Sequence, residues 1–517
     1  MTKSAKKRLL FSPAVVVFLF AFLSGPTTTA TGTDFIRGDA NVDKTVDVSD
    51  AICVLAHLFT NSVCQSPSCM DALDVNNDES VDLSDSVSLL AFLFQGGSVP
   101  STPGPVDCGA DPTTENELLG CDSFTRCDPV PTDPCPLIRV SLTGKQRNSN
   151  VAVGANGNFF VVWEDDENEN DLFEILGAGY NQDGTELIAT FAVNPSSSGQ
   201  QLDPNIARDG DGNLVVVWES DGDNDGLFQV NARGFNADGT ERFAQFTVNS
   251  NSAGQQTDPD IAMDGNGNFV VVWEDDRDSD GLYQVKARGF NADSTERFAQ
   301  FTVNVNSAGQ QTDPRIAMEG SGKFVVVWED DRDSNGLFQV HGRGFDADGV
   351  ERIARFTVNS NSAGQQTEPD IAMDGSGNFF VVWDDDRDTN GLFQIHGRGF
   401  DADGIERIAQ YTVNVNSAGQ QFNATVAMNA TGDYAVAWED DRDDDGEFHV
   451  RMRGFDADGM ENFPHTKVDC IEPAQHLDPV IGIDRAGRIV VFWDDTAALQ
   501  VTQVLGRTFP EAKTVTE

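Results

Sequence analysis

The sequence predicts a mainly β protein, a seven-bladed β-propeller built from seven 55-residue repeats and preceded by a small α-helical calcium-binding domain. The chain has 517 residues, and its seven tryptophans recur every 55 residues from Trp163 to Trp493. Each repeat carries four short β-like runs, and four strands per repeat is typical of a propeller blade. Tandem β-sandwiches would need about 100 residues per domain, so this period argues against them.

The third repeat illustrates the strands and turns. Its β-like runs are "PDIAMD" (259–264), "NFVVVWEDD" (268–276), "LYQVKARGF" (282–290) and "RFAQFTVN" (297–304). Gly, Asn and Asp fill the connections, as tight turns require. In the third run, apolar and polar residues alternate, which predicts one buried and one solvent-exposed face.

The two ends of the repeat array indicate how the ring closes. "LIRVSL" (137–142) precedes the first repeat and corresponds to a fourth strand, whereas the last repeat ends soon after "VLGRTF" (504–509). We therefore expect the N-terminal strand to complete the seventh blade. The alternative closure uses "AKTV" (512–515).

The first 30 residues predict a signal peptide. Basic residues among the first eight positions precede an apolar run from Leu9 to Leu23, which is followed by the small and polar "SGPTTTATG". This run is shorter than the roughly 20 residues that a spanning helix needs. We expect a secreted protein, extracellular or at the cell surface, with no membrane insertion after cleavage; an uncleaved anchor is the alternative.

The charge excludes two classes of partner. The net charge is −50, from 34 basic and 84 acidic residues. Nucleic acid and anionic membranes would be repelled by such a surface, whereas cations would be attracted. Scattered surface acids are explained by solubility alone, but clustered acids are not.

Two segments near the N-terminus place oxygen-bearing side chains at positions 1, 3, 5, 7, 9 and 12 of a loop. These side chains are Asp39, Asn41, Asp43, Thr45, Asp47 and Asp50 in the first loop, and Asp74, Asn76, Asp78, Ser80, Asp82 and Asp85 in the second. A loop with this alternation wraps its oxygens around Ca²⁺. Each loop runs into an apolar stripe with helical spacing, so the sequence predicts two calcium loops, each followed by a helix.

Residues 34–97 resemble a type I dockerin, a calcium-dependent module that docks secreted proteins onto cohesin-bearing scaffolds. The resemblance implies calcium-dependent folding and a cohesin-like partner protein, contacted at loop positions 10 and 11, where Ser49 and Ser84 match a common family choice. Position 6, usually Gly, is Lys44 in one loop and Glu79 in the other, which should cost on the order of 1 kcal/mol each. The alternative to docking is that residues 34–97 serve purely as a structural cap.

The cysteines suggest one long-range disulfide. Seven of the eight lie in the first 135 residues, and the eighth is Cys470. Export makes disulfides reasonable, and seven thiols cannot all pair among themselves. If all eight are oxidised, Cys470 must pair with the N-terminal segment, and Cys135, at the end of the Cys- and Pro-rich linker 98–135, is the candidate nearest to the propeller domain 136–517.

The repeats themselves resemble arrays of "VVW", "FDADG" and "VN" motifs in large secreted bacterial proteins. The matching pieces are "VVVWEDD", "GFDADG", "FTVN" and "SAGQQTDP", over residues 137–509. This resemblance implies no particular activity.

Acidic loops follow the tryptophan strand in several repeats, as in "VVVWEDDRDSDG" (270–281). Their pattern, D-x-[DN]-x-[DN]-G, resembles half of a calcium loop, as in integrin-type propellers. The carboxylates concerned are Asp221, Asp223, Asp225, Asp276, Asp278, Asp280, Asp331, Asp333, Asp386, Asp388, Asp441, Asp443 and Asp445. The alternative is a set of solvated hairpin tips whose acids pair with nearby arginines.

The sequence shows no obvious catalytic centre. Active sites on repeat scaffolds usually break the symmetry of the repeats, and this array is nearly uniform. His341 and His396 occupy a variable strand position that we expect to be exposed, while His449, His465 and His476 stand singly in the divergent last repeats. Carboxylate pairs that could hydrolyse glycosides are too numerous to single one out.

These observations favour a secreted, calcium-binding, non-catalytic recognition or scaffold protein, expected to be a monomer. Its propeller would bind a glycan or a surface protein, and its dockerin-like module would attach it to a partner. The alternative is a dockerin-borne propeller that binds carbohydrate or degrades polysaccharides as a hydrolase or lyase.

Overall fold

The computed structural model describes residues 51–55, 58, 72–76, 80–95, 137–141, 144–167, 170–196, 198–442, 446–470, 474–497 and 502–510. The chain divides into two compact units, Met1–Pro134 and Cys135–Glu517. Within the described ranges, no helix is long and apolar enough to cross a membrane.

In the N-terminal unit, helix α1 (Leu83–Gln95) begins at position 10 of the second predicted calcium loop and so includes its last residue, Asp85. Residues 51–55, which follow the first loop, are also helical. Ala51, Val75 and Leu89 are buried together in a small core. Leu90 of the second apolar stripe packs against this core, whereas Ile52 of the first stripe and Val87 and Phe94 of the second are exposed, so the two stripes do not pack on each other as expected.

The C-terminal unit is a seven-bladed propeller, as predicted, in which each blade is a four-stranded antiparallel sheet. The first strands are β2 (Lys145–Val153), β6 (Gln201–Arg208), β10 (Gln255–Met263), β14 (Gln310–Met318), β18 (Gln365–Met373), β22 (Gln420–Met428) and β26 (Ala474–Ile483). The second strands are β3 (Phe159–Asp166), β7 (Leu214–Ser220), β11 (Phe269–Asp276), β15 (Phe324–Asp331), β19 (Phe379–Asp386), β23 (Tyr434–Asp441) and β27 (Ile489–Ala497). The third strands are β4 (Glu174–Tyr180), β8 (Gln229–Phe235), β12 (Gln284–Phe290), β16 (Gln339–Phe345), β20 (Gln394–Phe400), β24 (His449–Phe455) and β28 (Thr502–Phe509). The fourth strands are β5 (Glu186–Ala192), β9 (Glu241–Thr247), β13 (Glu296–Thr302), β17 (Glu351–Thr357), β21 (Glu406–Thr412), β25 (Glu461–Lys467) and β1 (Ile138–Arg139).

The ring closes through the N-terminal strand, which confirms the expected closure. Strand β1 pairs antiparallel with β28, with Ile138 opposite Gly506. Across this seam, the rings of Phe159 and Phe492 meet edge to face at 5.9 Å. The seam therefore has the same hydrophobic packing as the other blade junctions.

The core lies between blades, because each sheet packs its two faces on its neighbours. Val215 and Val217 of the second blade share a cluster with Val271 and Trp273 of the third. All seven tryptophans are fully buried. The same packing explains why the predicted exposed face of the third strand is wrong in part: Lys286 is buried although it alternates with apolar residues.

Candidate functional site

The first strands line the axis of the propeller, and each places one polar residue in a left-handed conformation there. These residues form an axial ring of Asn148, Asp203, Asp258, Asp313, Glu368, Asn423 and Asp478, with φ between 47° and 56°. Positive φ is uncommon outside glycine, and Asp and Asn tolerate it best. In each first strand the pairing register with the second strand shifts at this position, so a bulge turns the residue out of the ladder.

A second ring of carboxylates holds the axial ring in place. It consists of the acidic residue that follows each tryptophan: Glu164, Glu219, Glu274, Glu329, Asp384, Glu439 and Asp494. Each of these carboxylates accepts the backbone N–H of the axial-ring residue in the next blade, at 2.6 to 3.0 Å. The bond from Asn148 to Asp494 closes the circuit across the seam at 3.0 Å. The same bond is therefore repeated at every blade junction.

A cavity of about 330 Å³ lies within the axial ring. Its polar wall includes Asp203, Asp258, Glu368 and Asp478. Among the residues described as lining it, no side chain is aromatic. The cavity therefore offers charged and hydrogen-bonding groups to a ligand, with no aromatic surface for stacking.

Burial, with repulsion from neighbouring carboxylates, raises the pKa of several carboxyl groups in the two rings. Burial, reinforced by the neighbouring carboxylates, raises the pKa of Asp203 to about 7 and that of Glu274 to about 9. The pKa values of Glu329 and Glu439 rise to about 7, chiefly because these groups are buried. The axial channel thus contains carboxyl groups that keep protons near neutral pH.

Among the residues that the structure describes along the channel, one is basic, and the sequence analysis missed it. Arg315 donates to Asp313 at 2.8 Å and is electrostatically coupled to Asp260 and Asp370. The corresponding position is Asp260 in the third blade and Asp370 in the fifth. The change from "TDPDIAM" to "TDPRIAM" in one repeat was the available signal, because it breaks the symmetry inside the channel.

Two groups of channel carboxylates converge closely enough to hold a metal ion. Oxygens of Asp203, Glu219 and Asp258 lie within 4.8 Å of one another, and so do those of Asp313, Glu329 and Glu368. In the described part of the chain, Glu439 Oε2 and Asp494 Oδ1 are buried and take part in no hydrogen bond. Carboxylate oxygens in this arrangement suit hard cations such as Ca²⁺.

The acidic blade loops use their first carboxylate to stabilise the turn. Asp276 Oδ1 accepts the backbone N–H groups of Asp280 and Gly281, at 3.1 and 3.3 Å. The next blade clamps the tip, because Gln310 Nε2 donates to Gly281 O at 2.7 Å and Gln310 Oε1 accepts the Tyr283 N–H at 3.0 Å. The first acid therefore has a structural role.

In four other acidic loops, the first carboxylate also accepts backbone N–H groups of its turn. Asp331 and Asp386 also accept backbone N–H groups four and five residues ahead, and Asp221 and Asp441 accept that of the glycine five residues ahead. Oxygens converge within 4.8 Å in two loops, one formed by Asp221, Asp223 and Asp225 and one by Asp276, Asp278 and Asp280. Asp333 and Asp388 accept from Asn335 and Asn390, both at 2.9 Å. Asp443 and Asp445 lie outside the described residues.

The arginines expected to pair with loop acids bind buried strand acids instead. Arg332 contacts Asp330 at 2.7 Å, and Arg387 contacts Asp385 at 2.5 Å. Each of these aspartates immediately precedes the first loop acid and is almost fully buried. The arginines therefore neutralise the end of the second strand.

In the N-terminal unit, the described part of the second predicted calcium loop is drawn together by Asp85. Its carboxylate accepts the backbone N–H of Asn76 at 3.2 Å and that of Asp82 at 2.8 Å. Asp74 and Asp85 are buried, while Ser80 is exposed. Hydrogen bonds from Ser84 lower the pKa of Asp82.

Ser84, the predicted partner contact, is occupied within this loop. Its Oγ accepts from Asn76 Nδ2 at 2.7 Å, and its N–H donates to Asp82 at 2.7 Å. The other predicted ligands and the second contact lie outside the described residues: Asp39, Asn41, Asp43, Thr45, Asp47, Ser49, Asp50 and Asp78.

Two expectations about histidines are wrong. His341 and His396 are buried, at 6% and 8% exposure, because their strand face packs beside the tryptophans Trp328 and Trp383. His449 and His476 do not stand singly, since both lie beside Asp469.

Cys470 is disulfide-bonded at the end of the sixth blade. Cys135 lies outside the described residues, so the pairing of these two cysteines stays a prediction.

No protein-family model matches the chain, and no curated protein sequence is significantly similar to it. A protein of unknown function from Dyadobacter fermentans is 9% identical over 72% of this chain and 97% of its own, with a TM-score of 0.42. An α-L-arabinofuranosidase from Fusarium graminearum is 12% identical over 60% of this chain and 93% of its own, with a TM-score of 0.42. The NanB sialidase from Streptococcus pneumoniae is 10% identical over 73% and 70%, with a TM-score of 0.40. Similarity this low carries no information about activity.

Proposed function

We propose that this protein is an extracellular recognition protein whose propeller binds Ca²⁺ in its axial channel and presents the bound ion to a ligand. The observation that carries the proposal is the convergence of Asp203, Glu219 and Asp258, of which Asp203 and Asp258 line the polar cavity. The carboxylates supply the ligand type that calcium prefers, and the amides of Asn148 and Asn423 add neutral oxygens in the same ring.

The electrostatics of the channel support a cation. Burying carboxylates costs free energy unless protons, positive side chains or metal ions compensate them. Arg315 is the one basic residue described as lining the cavity, against six acids. A divalent ion would let the raised pKa values fall, because it would stabilise the ionised forms. Calcium binding should therefore release protons and should strengthen as the pH rises.

The experiment is a calorimetric calcium titration of the full chain at pH 8 and pH 5.5. We expect the double variant Asp203→Asn/Asp258→Asn to lose one binding step that is stronger at pH 8. The matched control, Asp223→Asn/Asp278→Asn, changes exposed loop acids and should keep that step. If the control loses it and the channel variant retains it, the blade loops are the site and the proposal fails.

A second candidate function is glycoside hydrolysis, and one observation favours it. Asp203, whose pKa is raised to about 7, has a carboxyl oxygen within 4.8 Å of one from Asp258. A protonated acid beside a second carboxylate is the pair that glycosidases require. Reducing-sugar release from a polysaccharide panel that is abolished by Asp203→Asn alone would favour this candidate, and no release by the wild type would exclude it for those substrates.

The N-terminal unit is proposed to bind a separate calcium ion and to dock onto a cohesin-like protein. The donor set fits, since Asp74, Asn76, Ser80, Asp82 and Asp85 are all oxygen ligands and Asp85 already joins two points of the loop. Asp74→Asn/Asp82→Asn should remove a calcium-binding step without changing the axial one. If this variant titrates like the wild type, residues 74–85 are not a calcium site.

A further inference from the structure

Three polar side chains meet where neighbouring blades join, and in most junctions they are two glutamines and an asparagine. Between the fifth and sixth blades, Asn414 Nδ2 donates to Gln394 Oε1 at 2.8 Å and to Gln421 Oε1 at 2.9 Å. The preceding junction repeats the arrangement, with Asn359 donating to Gln339 and Gln366 at 2.8 and 2.7 Å. This is an uncharged network that holds the junction together.

At the junction between the sixth and seventh blades, all three positions have changed together. His449 replaces the first glutamine, Asp469 the asparagine and His476 the second glutamine. His449 Nδ1 lies 2.9 Å from Asp469 Oδ2, and His476 Nε2 lies 3.5 Å from the same oxygen. The side chain of His449 is 15% exposed, and those of Asp469 and His476 are fully buried.

We propose that His449, Asp469 and His476 bind a divalent transition metal ion, Zn²⁺ in the first instance. Two imidazoles and one carboxylate are the donors that zinc takes in three-ligand sites, which leave a fourth position open. With bonds of about 2.0–2.1 Å, tetrahedral zinc holds its ligand atoms about 3.3–3.5 Å apart. The observed separations of 2.9 and 3.5 Å are close to this spacing, and all three ligand atoms lie within 4.8 Å of one another.

A further buried carboxylate stands at the edge of this group. Asp495 lies directly opposite His476 in the β26–β27 pair and is 5% exposed. Its Oδ1 takes part in no hydrogen bond with any described residue. In four other blades the equivalent aspartate is neutralised by an arginine two residues later, whereas here that residue is Ala497. Asp495 therefore lacks the arginine found in those blades and places a further carboxylate beside the three ligands, where Arg139 interacts with it electrostatically.

The competing explanation is a hydrogen-bond network adapted to one junction. Lys467 Nζ lies 3.4 Å from Asp469 Oδ2 and supplies one positive charge. In the second and fourth blades, the glutamine at the position of His476 accepts the indole N–H of the tryptophan: Gln201 from Trp218 at 2.8 Å and Gln311 from Trp328 at 3.1 Å. Trp493 Nε1 has no hydrogen-bond partner in the described part of the chain, and neither has Trp273 Nε1, although its junction keeps Gln256. The indole therefore does not decide between the two explanations.

The test restores the residues of the other junctions in the full chain: His449→Gln/Asp469→Asn/His476→Gln. This variant should fold, since the same three residue types already form the junction between the fifth and sixth blades. With saturating Ca²⁺ present to occupy oxygen sites, the wild type should bind one Zn²⁺ that raises its unfolding temperature, and Co²⁺ should give the visible bands of a tetrahedral complex. The variant should bind Zn²⁺ at least about 100-fold more weakly and lack those bands.

The reverse exchange is the second arm. Gln394→His/Asn414→Asp/Gln421→His should add a second equivalent of Zn²⁺ to the wild type. If the wild type binds no Zn²⁺ under these conditions, or if the restored variant retains the same stoichiometry and spectrum, the metal site does not exist at this junction. Neither result depends on the axial calcium site, whose ligands are unchanged in all of these variants.

Discussion

Glu274 provides the sharpest test of the electrostatics of the channel. Its Oε1 accepts the N–H of Asp313 at 2.6 Å across a blade junction, and the side chain is buried. Gln in its place keeps the accepting oxygen and removes the ionisable group. We therefore expect Glu274→Gln to preserve the fold while abolishing the proton uptake of this site.

The magnitude follows from the pKa of about 9, against 4.5 for an ordinary glutamate. A group whose pKa is raised by folding contributes most stability at pH values below its pKa in the unfolded chain. That contribution is lost as the pH rises through its pKa in the folded protein. At pH 8 the unfolded chain has released this proton, whereas the folded protein retains it. Relative to acidic pH, this difference lowers the free energy of unfolding by at most about 5 kcal/mol, at about 1.4 kcal/mol per pKa unit. Asp258 and Glu329 share this repulsion, so part of it remains in the variant. We expect a gain of about 2 kcal/mol at pH 8 and almost none at pH 5.

The assay is urea unfolding at both pH values in chelator, so that no metal ion compensates the carboxylates. Glu241→Gln is the matched control, because Glu241 is exposed and pairs with Arg233 at 2.5 Å. The control should lose no more than about 1 kcal/mol at either pH. The reasoning is refuted if Glu274→Gln is less stable than the wild type at pH 8, or if its effect does not change with pH.

Three further predictions concern the scaffold. Trp273→Ala should lower the free energy of unfolding by about 3–5 kcal/mol in calorimetry, because the side chain is fully buried between blades, and a loss below about 1 kcal/mol would contradict that packing. Gly309→Ala should destabilise far more than Gly336→Ala by the same measurement: both have positive φ, but a Cβ at Gly309 would lie 1.9 Å from Asp331 O, whereas the one at Gly336 meets nothing within 4 Å. Gln310→Ala should cost about 1–3 kcal/mol and speed amide exchange at the loop tip, since it removes two hydrogen bonds, and unchanged exchange would show that the clamp is dispensable.

The propeller could be predicted from the sequence because its evidence is local and repeated. The tryptophan period fixes the blade, the Gly- and Asn-rich turns separate the strands, and "LIRVSL" supplies the strand that β28 needs. The burial of Lys286, His341 and His396 could not be predicted, because a prediction from alternating polar and apolar residues takes one face of the strand to be exposed to solvent. In a propeller both faces of a sheet pack against neighbouring blades.

The channel was harder to find because its residues are far apart in the chain. Asp203 and Asp258 are separated by a whole repeat, and only the closed ring brings their carboxylates together. Sequence reasoning instead emphasised the dense loop acids, whose first member, such as Asp276, caps a turn. His449 and His476 likewise meet only because the third strand of one blade lies beside the first strand of the next.

The axial channel is proposed to be the cation site of the propeller. The most direct measurement is a crystal structure of the full chain in Tb³⁺, a calcium surrogate whose anomalous signal locates each ion. If the ion binds in the channel, a peak should lie within coordination distance of Asp203, Glu219 and Asp258. Peaks confined to the blade loops or to residues 74–85, with none in the channel, would contradict that proposal.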